Sequence, residues 1–111
     1  LDWRRSGHVA IPCHFPEEFA LARPHVIHED GLFKMWYSRK GQHEYRIGYA
    51  VSEDGKIWKR MDDSVGIGVS QSGWDSEMIC YSNIFDHKGR RYMLYNGNGF
   101  GKTGFGLAIL E

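Results

Sequence analysis

The chain has 111 residues and a mass of 12.8 kDa, and its 14 Lys and Arg residues balance its 14 Asp and Glu residues. This length fits one domain of ordinary size, and the zero net charge argues against a dedicated nucleic-acid binder and against a polybasic membrane anchor. With 41% hydrophobic and 14% aromatic residues the chain is too apolar to be disordered, and its 14 Gly against 3 Pro favour an all-β fold.

Seven strands are predicted along the chain, and a further segment at the amino terminus resembles a strand. The predicted strands cover residues 21–28, 32–38, 45–52, 57–60, 78–86, 90–96 and 103–110. Turns are predicted at the short polar segments that end at Gly31 and Gly89, and the segment that ends at Gly55 is a tight hairpin signal. No stretch has a sustained apolar period of about 3.6 residues, so we expect almost no helix.

The chain repeats itself at an offset of 58 residues, from Gly31 to Gly89. GLFKMWYS, which begins at Gly31, aligns without gaps with GRRYMLYN, and YRIGYAVSE from Tyr45 aligns with TGFGLAILE from Thr103. A repeat of this size with several short strands is typical of a propeller blade. The sequence therefore predicts an all-β fold of two four-stranded β-propeller blades, with residues 21–60 as the first blade and 74–111 as the second.

The second predicted blade has no fourth strand of its own. Residues 1–5, LDWRR, resemble the fourth strand of the first blade, KIWKR, with Trp3 aligned on Trp58. We interpret residues 1–20 as this stray strand and a connector, and we expect the strand to complete a second blade in trans. Two blades cannot close a ring, because each blade buries its faces against neighbours. Either the chain is a segment of a longer propeller or copies assemble head to tail, with a cyclic homotrimer favoured and a dimer possible.

Four segments carry a resemblance to a known group of proteins: ARPHVIHEDGLFKMWYSRKG, YRIGYAVSEDGKIWKR, GWDSEMICYSNIFD and YNGNGFGKTGFGLAILE. From Trp3 to Glu111 the chain resembles the carboxy-terminal part of bacterial glycosidase-like proteins with five-bladed propellers. That group includes arabinanases, xylosidases, invertase, levansucrase and mannosyl-glycoside phosphorylases. The resemblance implies a sugar-related pocket on the propeller axis. It also implies that the essential carboxylates come mainly from the first three blades, whereas this chain resembles the last two.

One rim of the predicted blades is the expected ligand end. An up-and-down meander brings the start of the first strand, the end of the second and the start of the third to the same rim. Because the first strand is innermost, its leading residues face the axis. The predicted substrate-binding residues on this rim are Glu18, Arg23, Arg46, Trp74, Tyr81, Asn96, Asn98 and Lys102. For Arg23 the alternative is an interblade ion pair, and for Trp74, a predicted sugar platform, it is a wedge between blades.

Asp75 and Glu77 form the candidate catalytic pair. If a strand already runs through them, residues at i and i+2 point to the same side. Glycoside cleavage uses two carboxylates about 5–5.5 Å apart for retention or about 6.5–9.5 Å apart for inversion, and such neighbours fit either distance. The alternative is that one carboxylate caps a turn and the other pairs with Arg23 or Arg46.

Other site chemistries are not expected. The glycine-rich segment NGNGFGKTGFG has Asn96 where a phosphate-binding loop needs glycine, and a strand rather than a helix follows it. His25 and His28 face opposite sides of a strand and cannot share a metal ion. We therefore predict no metal, no cofactor and no nucleotide.

Cys13 and Cys80 are too few for a disulfide framework. The first residues lack the apolar segment of a signal peptide, and no apolar run is long enough to span a bilayer. These observations lead us to expect reduced cysteines in a cytoplasmic protein.

The favoured function is a carbohydrate-binding propeller module related to glycoside hydrolases. The alternatives are an active glycoside hydrolase or phosphorylase assembled from several chains, and a non-catalytic remnant. A symmetric ring of copies favours binding, because it repeats Asp75 and Glu77 identically, whereas glycoside cleavage needs carboxylates in unlike environments.

Overall fold

Seven strands form two antiparallel sheets in the computed structural model, which describes residues 1–111. The first sheet contains β1 (Ala20–Glu29), β2 (Leu32–Lys40), β3 (Arg46–Ser52) and β4 (Lys59–Arg60), in chain order. The second sheet contains β5 (Cys80–His87), β6 (Arg90–Asn96) and β7 (Phe105–Ile109), again in chain order. The predicted all-β class is confirmed, and every strand of the repeat begins and ends within two residues of its predicted bounds. The arrangement of the sheets as propeller blades stays a prediction.

Residues 1–5 do not form a strand within this chain. Trp3 is 90% exposed, and no strand pairs with the outer edge of β7. The expected pairing of this segment with the second sheet of another copy therefore stays a prediction.

The first hairpins of the two sheets use the same turn. Asp30 and Gly31 between β1 and β2 have φ of 52° and 73°, and Lys88 and Gly89 between β5 and β6 have φ of 49° and 75°. Positive φ at both central residues is the type I′ turn, whose twist matches that of the flanking strands. The repeat thus extends to the backbone conformation of its turns.

The turn around Gly55 is wider than the sequence indicated. β3 ends at Ser52 and β4 begins at Lys59, so the connection is a six-residue loop rather than a tight turn. The Asp54 carboxylate accepts hydrogen bonds from the N–H groups of Lys56 and Ile57, at 2.8 and 2.9 Å, and these contacts stabilise the longer loop.

Side chains alternate along each strand, so each sheet has two faces. The front face of the first sheet carries Ile27, Trp36, Ile47 and Tyr49, and its back face carries Leu21, Met35, Tyr37 and Ala50. The back face of the second sheet carries Ile84, Met93, Tyr95 and Ala108, and its front face carries Phe85, Leu94, Leu107 and Ile109. The main core lies where the front face of the first sheet packs on the back face of the second.

The connector of residues 61–79 completes this core. Val65, Ile67 and Val69 pack against it from the side, and Ile79 is fully buried at the entry to β5. The helical content is small, as expected: there is a 3-10 turn at Asp62–Ser64, and the chain turns at Asn98–Gly101 with positive φ of 66° at Gly99 and 59° at Phe100. No helix of the structure is long and apolar enough to cross a membrane.

Candidate functional site

Each sheet has a bulge at the same position of its first strand. The pairing of β1 with β2 shifts between Ala22 and His25, and the pairing of β5 with β6 shifts between Cys80 and Asn83. Within these bulges Arg23 and Tyr81, which are 58 positions apart, have φ of 51° and 57°. Such a conformation is uncommon for residues other than glycine, and bulges re-aim side chains at functional sites.

The two bulged residues meet at the rim between the sheets. The Arg23 guanidinium lies over the Tyr81 ring, 5.0 Å from its centroid. The Tyr81 backbone N–H donates to the hydroxyl of the fully buried Ser38 at 2.7 Å, so the bulge of the second sheet is held by the first. A cation over an aromatic face is a stabilising contact that leaves the other hydrogen-bond donors of the guanidinium available.

Two more aromatic rings and a lysine complete this group. Tyr45 lies 6.0 Å from the Tyr81 ring and 5.7 Å from the Phe100 ring, and Tyr81 and Phe100 are 6.1 Å apart. The Lys40 ammonium lies 5.9 Å from the Tyr45 ring. We call Arg23, Lys40, Tyr45, Tyr81 and Phe100 the rim cluster.

Strained backbone is concentrated in the rim cluster. Five residues other than glycine have positive φ, and two of them are the hairpin residues Asp30 and Lys88. The other three, Arg23, Tyr81 and Phe100, all belong to the rim cluster. Phe100 has a φ of 59° and is 48% exposed, so the backbone strain presents an apolar ring to solvent rather than burying it.

The asparagines predicted as ligand residues hold the loops around the rim cluster. Asn96 donates to the Phe100 carbonyl at 3.1 Å and so supports the strained residue. Asn98 accepts hydrogen bonds from the N–H groups of Glu77 and Met78, at 2.8 and 3.1 Å, and its amide donates to the Gly73 carbonyl. The Asn98 side chain is thus committed to the loop before β5, whereas Lys102 is exposed beyond the Asn98–Gly101 turn.

Trp74 is packed into the second sheet rather than standing free on the rim. Its ring stacks on Tyr95 with centroids 5.4 Å apart, and a Cβ at Gly97 or Gly106 would overlap it. The side chain is 37% exposed, and these ring contacts all lie with residues of the second sheet and its loop, so both the sugar platform and the wedge between blades stay predictions.

Asp75 and Glu77 do not share a surface. The condition under which they would point to the same side, a strand that runs through both, is not met, because β5 begins only at Cys80 and both residues lie in the preceding loop. Asp75 is 5% exposed and accepts a hydrogen bond from the Tyr95 hydroxyl at 2.9 Å, whereas Glu77 is exposed. Burial, together with this bond to Asp75, raises the pKa of Tyr95 to about 12. Neither carboxylate forms an ion pair with Arg23 or Arg46. The ion pairs that contain an arginine are formed by other carboxylates.

A polar hollow of about 530 Å³ lies at the carboxyl end of β2. It contains no hydrophobic residue, and its lining includes Glu18, Arg39, Arg46, Arg60 and Asp62. Its residues are largely engaged with one another. Arg60 donates to both carboxylate oxygens of Glu18, at 2.8 and 2.5 Å, and to Asp62 at 2.7 Å. This contact with Arg60 is the main reason why the pKa of Glu18 falls to about 2.

Arg46 links the two sheets beside this hollow. Its guanidinium donates to the carbonyls of Glu44, Tyr45 and Glu77, at 3.0, 3.1 and 2.9 Å. Glu18 and Arg46, both predicted as ligand residues, thus have structural partners, whereas Arg23 and Tyr81 come together as a surface. Lys40, Tyr45 and Phe100 were missed by the sequence reasoning; the aromatic residues beside the glycine-rich loop were the available signal.

The cysteines take no part in these sites. Cys13 is half-buried and Cys80 is buried, and both are free thiols. Burial raises the pKa of the Cys80 thiol to about 11, which keeps it protonated and unreactive.

Comparisons with known proteins find sequence similarity to bacterial proteins and a shared fold with a glycoside hydrolase. No family model matches the chain. It is 45% identical over 111 residues to two uncharacterized proteins of Mycobacterium tuberculosis, covering 100% of this chain and 37% of each of them. It is 35% identical over 101 residues to a beta-1,2-mannobiose phosphorylase of a Thermoanaerobacter species, covering 78% of this chain and 32% of that protein.

A solved structure of a glycoside hydrolase has the same fold over 96% of this chain and 31% of its own, with a TM-score of 0.72 and 17% sequence identity. The chain therefore spans about a third of the length of the proteins it matches.

Proposed function

We propose that this chain supplies a carbohydrate-binding surface of a glycosidase-related propeller, with its two sheets as neighbouring blades and the sugar lying against the rim cluster. The observation that carries the proposal is the convergence of three strained residues, Arg23, Tyr81 and Phe100, from both sheets at one exposed place. Positions of this kind persist where the side chain has a task that outweighs the cost of the backbone conformation.

The chemistry of the rim cluster suits a neutral, polyhydroxylated ligand. The exposed ring of Phe100 offers an apolar surface to the C–H face of a sugar, and the Arg23 guanidinium and Lys40 ammonium offer hydrogen-bond donors to hydroxyl groups. The zero net charge of the chain gives no electrostatic preference for a polyanion.

The comparisons support a sugar and suggest the first probe. The bacterial phosphorylase that aligns over 101 residues is named for a β-1,2-linked mannobiose, so mannosides lead the panel, followed by furanosides. We propose binding rather than catalysis for this chain, because only one member of the candidate acid pair, Glu77, is accessible.

Titration calorimetry of the chain with mannobiose and with arabinofuranosides tests the proposal. Phe100→Ala is expected to weaken binding about tenfold, since it removes one stacking surface worth about 1.4 kcal/mol. Phe15→Ala is the matched control, because Phe15 is 74% exposed and lies outside the rim cluster. An aryl-glycoside assay run in parallel is expected to show no turnover. Equal loss of binding in both variants, or no heat with any sugar, would contradict the proposal.

A further inference from the structure

Two residues at one position of the repeat lie next to the strained backbone of the rim cluster. Ser38 of β2 and Asn96 of β6 are 58 positions apart and occupy the same place in the second strand of each sheet. Ser38 pairs with Ala22, the last pair before the bulge of β1. Asn96 pairs with Cys80, the last pair before the bulge of β5. Each of the two residues therefore lies opposite the point at which a first strand leaves regular pairing.

Ser38 also contacts the bulge of the other sheet. Its hydroxyl accepts a hydrogen bond from the Tyr81 N–H at 2.7 Å, across the boundary between the sheets. Its own strand partner, Ala22, directly precedes Arg23. One fully buried residue thus lies beside both of the bulged residues whose side chains meet on the rim.

The hydrogen bond from Tyr81 holds a backbone conformation that the residue would not adopt by itself. Tyr81 lies within the register shift between β5 and β6, outside the regular pairing, and has a φ of 57°. A side chain other than glycine keeps such a conformation only where its surroundings fix it. The Ser38 hydroxyl supplies such a constraint at the Tyr81 backbone itself.

Asn96 has the equivalent role in the second sheet. Its side-chain amide donates to the carbonyl of Phe100, whose φ is 59°, at 3.1 Å. A Cβ at Gly101 would lie 2.8 Å from the same amide nitrogen, so the Asn96 side chain fits closely against the loop. At both copies of this repeat position, a polar side chain therefore bonds to a backbone group of one strained residue of the rim cluster.

We propose that Ser38 is a positioning residue of the sugar-binding surface, a role that rests on the function proposed above. Ser38 is fully buried and does not reach a ligand. Its hydroxyl acts through the Tyr81 backbone, which holds the Tyr81 ring under the Arg23 guanidinium and so directs the remaining donors of that guanidinium towards the sugar. Loss of the hydroxyl is expected to weaken binding although no group that contacts the sugar is removed.

A matched pair of serine variants tests this role. Ser38→Ala removes the acceptor of the Tyr81 N–H, whereas Ser82→Ala removes a hydroxyl that is also buried, lies next to Tyr81 and has no hydrogen-bond partner. In titration calorimetry with mannobiose and arabinofuranosides, Ser38→Ala is expected to bind about tenfold more weakly than the wild type, because the Tyr81 backbone loses its partner. Ser82→Ala is expected to bind as the wild type does. Wild-type affinity of Ser38→Ala would overturn the proposal.

Proton NMR of the unliganded chain tests the same geometry without a sugar. The Tyr81 ring is expected to shift the side-chain δ protons of Arg23 upfield in the wild type and in Ser82→Ala, because the guanidinium lies over the ring. In Ser38→Ala this shift is expected to be lost while the resonances of the core stay dispersed. An unchanged Arg23 shift in Ser38→Ala would overturn the positioning role. If the wild type binds no sugar, the proposed function fails, and these spectra still decide whether Ser38 holds the contact between Arg23 and Tyr81.

Amide hydrogen exchange of the wild type covers the case in which Ser38→Ala does not fold. The Tyr81 N–H is expected to exchange at least about tenfold more slowly than an unprotected amide, because it is bonded to a buried hydroxyl. Exchange of the Tyr81 amide at the unprotected rate in the folded wild type would overturn the proposal without any variant.

Discussion

Tyr37 of the first sheet and Tyr95 of the second occupy matching positions of the repeat, and each hydroxyl donates a hydrogen bond to an aspartate. The acceptor of Tyr37 is Asp62, which also accepts from the Tyr49 N–H and from Arg60. The acceptor of Tyr95 is Asp75, whose side chain has no other donor in the structure. The tyrosine at this repeat position thus belongs to a charged hydrogen-bond network in the first sheet, whereas in the second sheet it forms a single hydrogen bond with one aspartate.

The glycines beside the two tyrosines show where this difference arises. A Cβ at Gly48 would meet Tyr37 and the Asp62 carboxylate, whereas a Cβ at the matching Gly106 would meet the Trp74 ring. Both neighbours come from the connector of residues 61–79, but from its two ends, since Asp62 lies just after β4 and Trp74 lies nearer to β5. Strands and turns repeat because they build the sheet, and the connections supply the chemistry that distinguishes one sheet from the other.

The largest expected effect comes from removing the cation of the first network. Arg60→Ala leaves the buried Glu18 carboxylate and Asp62 without their shared partner and is expected to destabilise the fold by about 3–5 kcal/mol. Urea unfolding followed by tryptophan fluorescence measures the change. Lys59→Ala, at the exposed neighbouring position of β4, is expected to change stability by less than about 0.5 kcal/mol. A small effect of Arg60→Ala would show that the network contributes little to folding.

A matched pair of variants measures the contrast between the two tyrosines. Tyr95→Phe removes the donor to the buried Asp75 side chain and is expected to cost about 1–3 kcal/mol. Tyr37→Phe is expected to cost about 1 kcal/mol or less, because Asp62 keeps its bonds from Arg60 and Tyr49. Thermal unfolding of both variants under one buffer condition provides the comparison. Equal costs, or a larger cost for Tyr37→Phe, would remove the proposed difference between the networks.

The smallest expected effect is the change in the free energy of unfolding as the pH falls below neutrality. The hydrogen bonds from Arg60 hold the pKa of Glu18 at about 2, below its usual value of 4.5. Because the folded-state pKa is depressed, this stabilisation is present above the usual pKa and is lost as pH falls towards the folded-state value. Between about pH 7 and about pH 4 it amounts to about 1 kcal/mol. Unfolding free energies at the two pH values are expected to differ less in Glu18→Gln than in the wild type, and less than in the control Glu53→Gln.

Much of the fold could be predicted from the sequence, because the two copies of the repeat gave two independent views of the same strand pattern. Strand bounds and the position of the turn at Asp30 and Gly31 follow from local rules of alternation and turn chemistry. The loop after Asp54 was misread, since its length depends on a side chain that bonds to backbone groups two and three residues ahead. Such local competition is invisible to a pattern of apolar residues.

The candidate site was less accessible to sequence reasoning. Arg23 and Tyr81 were predicted on the rim. Their bulges and their mutual contact were not predicted, because both depend on sheet geometry that the sequence pattern does not specify. Asp75 was predicted beside Glu77, although one is buried and the other exposed, because loop residues do not obey strand alternation. Phe100 was missed because its exposure depends on a positive φ. In a glycine-rich segment one expects the glycines, and not a phenylalanine, to adopt positive φ.

At the repeated bulge, the residues that determine strand pairing are different from the residue whose side chain forms the recognition surface. A bulged residue lies outside the pairing ladder, so exchanging Arg23 or Tyr81 for another side chain changes the surface and leaves the register of β1 or β5 intact. Each sheet thus has one bulged residue, at the same position of its first strand, that can be substituted without changing the strand pairing. An array of such sheets would acquire new ligand preferences through single substitutions at these bulged residues, while the residues that pack the sheets together stayed under separate selection.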